Sequence, residues 1–304
     1  MIGGGIATGA LIAMVIGVLG TSVIHLSKGV MKLGISRLQA VPEAAPPALP
    51  AALIYAVGIG MNFTNPLWVI VANRFAPTIY YTSMYGLGLI ALLLFSRYVL
   101  REKVQARQIT GVALIMLGTL VIGLFEFTRN PPSLYGASRF RVILVAGLWL
   151  AAAPLAALLV RRRAIALQEV VFGIAAGGMA ALEAVVKGVA QAGALESTFL
   201  PRGGANWALF IVSFLGAAGA FGMIQWSFLR RCRASMMGAV YTATYAAVPL
   251  MIVPFLLGTA GVSPGCLAGI GLLVLGALMV SSPSHTAPRS DPPGRSAPAP
   301  GGYP

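Results

Sequence analysis

GVALIMLGTLVIGLF, residues 111–125, runs without a single charged side chain. With its flanks, over 108–127, it is long enough to cross a hydrocarbon core about 30 Å thick at about 1.5 Å per helical residue. Comparable runs recur along the whole chain, near 5–27, 50–73, 78–96, 142–160, 168–190, 206–229, 235–257 and 264–281, making nine spans in all. Composition agrees: 58% of the 304 residues are hydrophobic and only 9% are charged, with mean hydropathy +0.87. A soluble domain carries roughly a quarter charged residues. The expectation is an all-α polytopic integral membrane protein.

The net charge of +14 does not point to nucleic acid, because the bases lie scattered between apolar segments rather than on one soluble face. Cys232 and Cys266 flank different segments and show no metal-ligand spacing, so neither a disulfide framework nor a zinc site follows. No basic segment precedes the first apolar run, so 5–27 is read as a retained span rather than a signal peptide. The stretch VPEAAPPALP (41–50) reads as a linker and TRNPPSLYGASR (128–139) as an outer loop. A single transmembrane domain over 1–283 leaves 284–304 as a Pro/Gly-rich cytoplasmic tail, expected to be disordered.

Orientation follows from Lys and Arg. With the N-terminus outside, fifteen bases fall on the cytoplasmic side: Lys28, Lys32, Arg37, Arg97, Arg101, Lys103, Arg107, Arg161, Arg162, Arg163, Arg230, Arg231, Arg233, Arg289 and Arg295. Only Arg74, Arg129, Arg139, Arg141 and Arg202 fall outside, and Lys187 lies within a span. That bias predicts N-out, C-in.

Segment 111–118 has a second copy of its frame. GVALIMLG (111–118) and GIGLLVLG (269–276) share G-x-x-L-[IL]-x-x-G at an offset of 158. KGVMKLG (28–34) and KGVAQAG (187–193) share K-G-V-x-x-x-G at 159, and Tyr81 and Tyr85 echo Tyr241 and Tyr245 at 160. Three matches in order at nearly constant offset predict an internal repeat, 5–127 and 168–281, pairing spans one to four with six to nine. An odd offset in span number inverts one copy relative to the other, as in carriers that alternate access around a midplane site.

On these residues a family resemblance emerges. REKVQARQITGVALIMLGTLVIG (101–123), with Glu102, Gln108, Gly111, Leu114, Ile115 and Gly118, resembles the signature of the drug/metabolite transporter superfamily, EamA-like. ANRFAPTIYYTSMYG (72–86) resembles that family's segment in which a helix ends, turns at a proline and re-enters the membrane. Nine spans and the recurring Lys-Gly pair are most similar to the NIPA-type magnesium transporter branch. The second half departs from the signature, with Ala260 and Cys266 in place of its Glu and Gln. The resemblance implies a secondary transporter in the cell membrane, and its branch implies magnesium.

Candidate site residues carry a bland reading beside the functional one. Glu183 and Lys187 share a helix face at i, i+4, and an ionisable group inside a span suggests function; alternatively Lys187 snorkels to the interface. The repeat counterpart of Glu183 is Ile24, so symmetry does not account for the acid. Asn62 and Asn65 flank Pro66, which frees a carbonyl that Asn62 could satisfy; the site reading is a discontinuous helix facing a solute, the bland one a kink. Tyr81, Tyr85, Tyr241 and Tyr245 form i, i+4 stripes that suit packing or an aromatic wall for an organic molecule or cation. Gln225 and Trp226 are weaker candidates, and His25 reads as a helix-end residue. No paired acids, nucleophile motif or histidine ligand pattern suggests an enzyme, and no cofactor or resident metal is expected. The expected partners are the lipid bilayer and a small solute or cation, not nucleic acid; a homodimer is compatible with this. A small organic solute ranks ahead of magnesium, which prefers oxygen ligands that a lone Glu183 beside a lysine supplies poorly. A non-transporting membrane scaffold is the remaining alternative.

Overall fold

A computed structural model describes residues 3–39, 50–76, 78–129, 134–192, 200–259 and 262–281. The expected tail, most of the 41–50 linker and the centre of the 128–139 loop lie outside the described residues. The described residues form helices and turns with no strand: α1 (Gly3–Leu38), α2 (Ala51–Phe63), α3 (Asn65–Phe75), α4 (Thr78–Ser83), a 3-10 turn (Tyr85–Gly88), α5 (Leu89–Tyr98), α6 (Ala106–Arg129), a second short turn (Leu134–Gly136), α7 (Arg139–Val160), α8 (Ile165–Gln191), α9 (Gly204–Leu229), α10 (Ala234–Leu257) and α11 (Pro264–Ser281). Among the described residues, eight segments are long and apolar enough to cross a membrane, α2 and α3 together counting as one. Of the nine expected spans, the one over 78–96 departs from a continuous helix. It is built from α4, the 3-10 turn and α5, and its longest apolar piece is Tyr85–Tyr98.

The 50–73 span is also broken, at Thr64. Pro66 has no N–H to give to Asn62 four residues back, and α2 closes instead on the Thr64 N–H, while the Thr64 hydroxyl donates to Met61 O at 2.7 Å. The Asn62 side chain takes no part, accepting a hydroxyl from Ser27 at 3.5 Å.

Helix α8 is the axis of the molecule: 78% of its most apolar window is buried, against 6% for Ala51–Ala72. Leu11, Val15 and Leu19 on α1, Leu148, Leu155 and Leu159 on α7, and Leu267, Val274 and Leu278 on α11 are exposed, which suits faces solvated by lipid.

Glycines set the closest helix approaches. Helices α6 and α11 cross with Gly111 against Gly276 and Gly118 against Gly269; a Cβ on Gly111 or Gly118 would stand 2.7 Å or 2.8 Å from the facing carbonyl oxygen. Gly17 of α1 abuts Tyr81 O and Met84, and Gly177 of α8 abuts Tyr241 O and Thr244. With Gly29 further along α1 against Phe95, and Gly173 earlier in α8 against Met237 O and Val240, these contacts run α1 parallel to the α4–α5 segment and α8 parallel to α10. Helices α1 and α10 run antiparallel, since His25 meets Thr242 while Lys32, further along α1, donates to Cys232 O at 2.6 Å.

Candidate functional site

Four tyrosines meet where α1, α4, α8 and α10 converge. Tyr85 faces Tyr245 with ring centroids 4.3 Å apart, and Tyr241 lies stacked on Tyr245 at 6.1 Å and 6°. The Tyr85 and Tyr241 hydroxyls are 3.5 Å apart, and Tyr81 donates to Asn65 Oδ1 at 3.2 Å. All four rings are buried. The break before α4 and the 3-10 turn place Tyr81 and Tyr85 on this wall, and the turn lets Gly88 sit against the Thr21 backbone and His25.

On one side of the stack is a narrow crevice lined by Asn65, Pro66, Val69, Glu183, Ala184, Lys187, Gln191 and Tyr245. Glu183 and Lys187 form an ion pair there, both buried, with the Lys187 ammonium 4.7 Å from the centre of the Phe214 ring. Lys187 is therefore held inside by its partner and does not snorkel. The structure brings together Glu183, Lys187, Asn65, Tyr81, Tyr85, Tyr241 and Tyr245. Asn62 stays with Ser27 outside the crevice lining. Gln225 accepts from the Tyr55 hydroxyl at 3.0 Å and donates to Met31 Sδ at 3.1 Å, and Trp226 packs edge-on to Phe172.

Beyond the stack lie two residues the sequence placed at a helix end, His25 and Lys28. Helix α1 continues eleven residues past its expected end, from 27 to Leu38, so both fall inside it. His25 Nδ1 donates to Thr21 O at 2.8 Å, and Nε2 lies 2.8 Å from the Thr242 hydroxyl. That hydroxyl is equally close to Gly238 O, so its one proton serves either the ring or the carbonyl. Lys28 is 1% exposed, and its Nζ sits 3.9 Å from the centre of the Tyr241 ring and 5.5 Å from that of Tyr85. Its Nζ has no hydrogen-bond partner, as is true of Ser96 Oγ and Trp149 Nε1 among the buried side-chain nitrogens and oxygens of the described residues. Desolvating an ammonium costs several kcal/mol, and aromatic faces return about 2 kcal/mol. The charge of Lys28 is therefore under-compensated.

A second polar cluster ties down the start of α10. The Glu102 carboxylate accepts from the Ala234 and Ser235 N–H groups at 2.9 Å and 3.2 Å and from the Ser235 hydroxyl at 2.6 Å. An acid at a helix N-terminus satisfies free N–H groups and complements the dipole. Glu169, fully buried, accepts from the Arg233 backbone N–H at 2.7 Å and binds its guanidinium in a fork. Between them, burial pushes the Cys232 thiol up to about 11, with the Glu169 charge adding to the effect. That leaves the sulfur protonated and unreactive near neutral pH. Sequence reading gave Glu102 only as part of a family signature and passed over Glu169; the signal in both is an acid standing among bases.

No protein-family model, curated protein or solved structure matches the chain.

Proposed function

We propose that the chain is a secondary transporter of the drug/metabolite type, built from two inverted repeats and moving a small organic solute across the cell membrane by alternating access. The observation that carries this reading is a contact repeated at one offset. Gly17 against Tyr81 O and Met84 corresponds, residue for residue, to Gly177 against Tyr241 O and Thr244, each 160 positions on. Since α1 runs antiparallel to α10 and α10 parallel to α8, the two copies have opposite directions. The pairs Gly111–Gly276 and Gly118–Gly269 exchange with each other at the neighbouring offset of 158, as helices related by a two-fold axis would. Broken helices in two spans, with buried polar side chains at their convergence, add the features of a midplane binding site.

An organic solute takes precedence over magnesium because the acid in the crevice, Glu183, is already engaged by Lys187. A hard divalent ion needs several oxygen ligands, and among the described residues no group of three His, Cys, Asp or Glu side chains gathers to supply them. The reading is of a carrier rather than an enzyme or a scaffold.

Purified protein in liposomes, preloaded with a mixed metabolite extract and assayed by mass spectrometry for exchange, tests this. Uptake is expected for wild type and is expected to fall at least tenfold in Tyr245→Ala, which opens the wall of the crevice. Absence of exchange by folded protein overturns the transporter reading. Magnesium flux equal in wild type and Glu183→Gln, with no organic exchange, restores the cation alternative.

A further inference from the structure

Lys28 and Lys187 each stand in the sequence Lys-Gly-Val near the tyrosine stack, but only one has an acid. Four residues before Lys187, on the same helix face, is Glu183; four residues before Lys28 is Ile24. Glu183 and Ile24 are both buried. Neither the Lys187–Glu183 nor the Arg233–Glu169 ion pair reaches Lys28. Facing Lys28 are His25 on its own helix, Tyr85 on the 3-10 turn and Tyr241 on α10. All of these are neutral or basic.

We infer that Lys28 anchors the carboxylate of a small organic acid with an apolar body, so that the solute supplies to Lys28 what Glu183 supplies to Lys187. An ammonium presents three donors, and here none is used within the protein. The Tyr85 and Tyr241 rings near Lys28 suit a flat or aliphatic body, and since Tyr85 donates to Tyr241 at 3.5 Å, the Tyr241 hydroxyl keeps one proton to give. A cationic solute would bring a second positive charge to an amine that has no acid beside it, whereas a carboxylate would hold that amine as an ammonium. A phosphate dianion calls for more than one cation or an arginine fork, which is not found around Lys28. Two packed rings separate the crevice from Lys28: Tyr245 on the crevice wall, and Tyr241, which Lys28 overlies.

The movement of the acid rests on the transporter reading; its binding does not. Purified full-length protein in nanodiscs is titrated with benzoate and hexanoate, and with benzamide and benzylamine as neutral and cationic isosteres, following thermal unfolding. Only the carboxylates are expected to raise the wild-type midpoint. Lys28→Met is expected to weaken them about 10- to 100-fold, the worth of a charge-assisted hydrogen bond in a dry site. Ile24→Glu keeps Lys28 but gives it an internal carboxylate, and is expected to abolish the response while unfolding cooperatively. If Lys28→Met does not fold, Ile24→Glu decides. No carboxylate response in wild type, an equal response to benzylamine, or a response that survives both substitutions overturns the anchor. Radiolabelled benzoate in liposomes separates the two readings: Lys28-dependent binding without uptake removes transport and keeps the anchor. Uptake of benzamide or benzylamine that is indifferent to Lys28→Met keeps transport and removes the anchor.

Discussion

Glu169 shows how one buried acid organises a helix start. Its carboxylate takes three donors from Arg233, whose side chain is 39% exposed, so water screens part of the attraction. Burial works against the Arg233 charge, but the Glu169 hydrogen bonds and charge outweigh it and hold the guanidinium above its ordinary range. Glu169→Gln keeps the volume and removes the charge; a loss of about 2 kcal/mol is expected, measured as reversible unfolding in mixed micelles. An unchanged unfolding curve would mean that the fork contributes nothing to stability. Glu183, Lys187, Asn65 and the four tyrosines were legible beforehand because intramembrane charge and i, i+4 stripes stand out against an apolar chain. Lys28 was not. Followed by Lys32 and Arg37, it looked like one more base at a cytoplasmic helix end, and only the extra turns of α1 turn it inward.

At the scale of elements, the crossing of α6 and α11 depends on having no side chain in four places. Gly118→Leu would drive a Cβ to 2.8 Å from Gly269 O, where no flexible group can give way. Folded yield, read by size-exclusion chromatography of a fluorescent fusion, is expected to collapse. Gly271→Ala, whose Cβ meets nothing within 4 Å, is expected to leave it unchanged. The shared G-x-x-L frame led to the expectation that these two helices correspond; it did not announce that they touch, because spacing within a segment says nothing about its neighbour. Breaks were half legible. Pro66 marks one, while the 3-10 turn at Tyr85–Gly88 has no proline and follows from the close approach of Gly88 to Thr21 and His25.

For the whole molecule, membrane class was legible from composition, and its orientation is open to direct test. Removing buried Lys28 from the cytoplasmic set leaves fourteen bases against five, so N-out, C-in remains the expectation. With Cys232 and Cys266 replaced by serine, an impermeant maleimide on intact cells is expected to label Arg202→Cys and not Arg162→Cys, both at exposed positions. The reverse pattern would invert the assignment. The α6–α11 crossing carries a mechanical consequence. Backbones there lie directly against each other, and Ile115, Ile122, Leu273 and Val280 each reach into the space left by a glycine of the facing helix. Such a joint is keyed against sliding as well as against separation. If the two halves rock, α6 and α11 are the pair that travels together as one body.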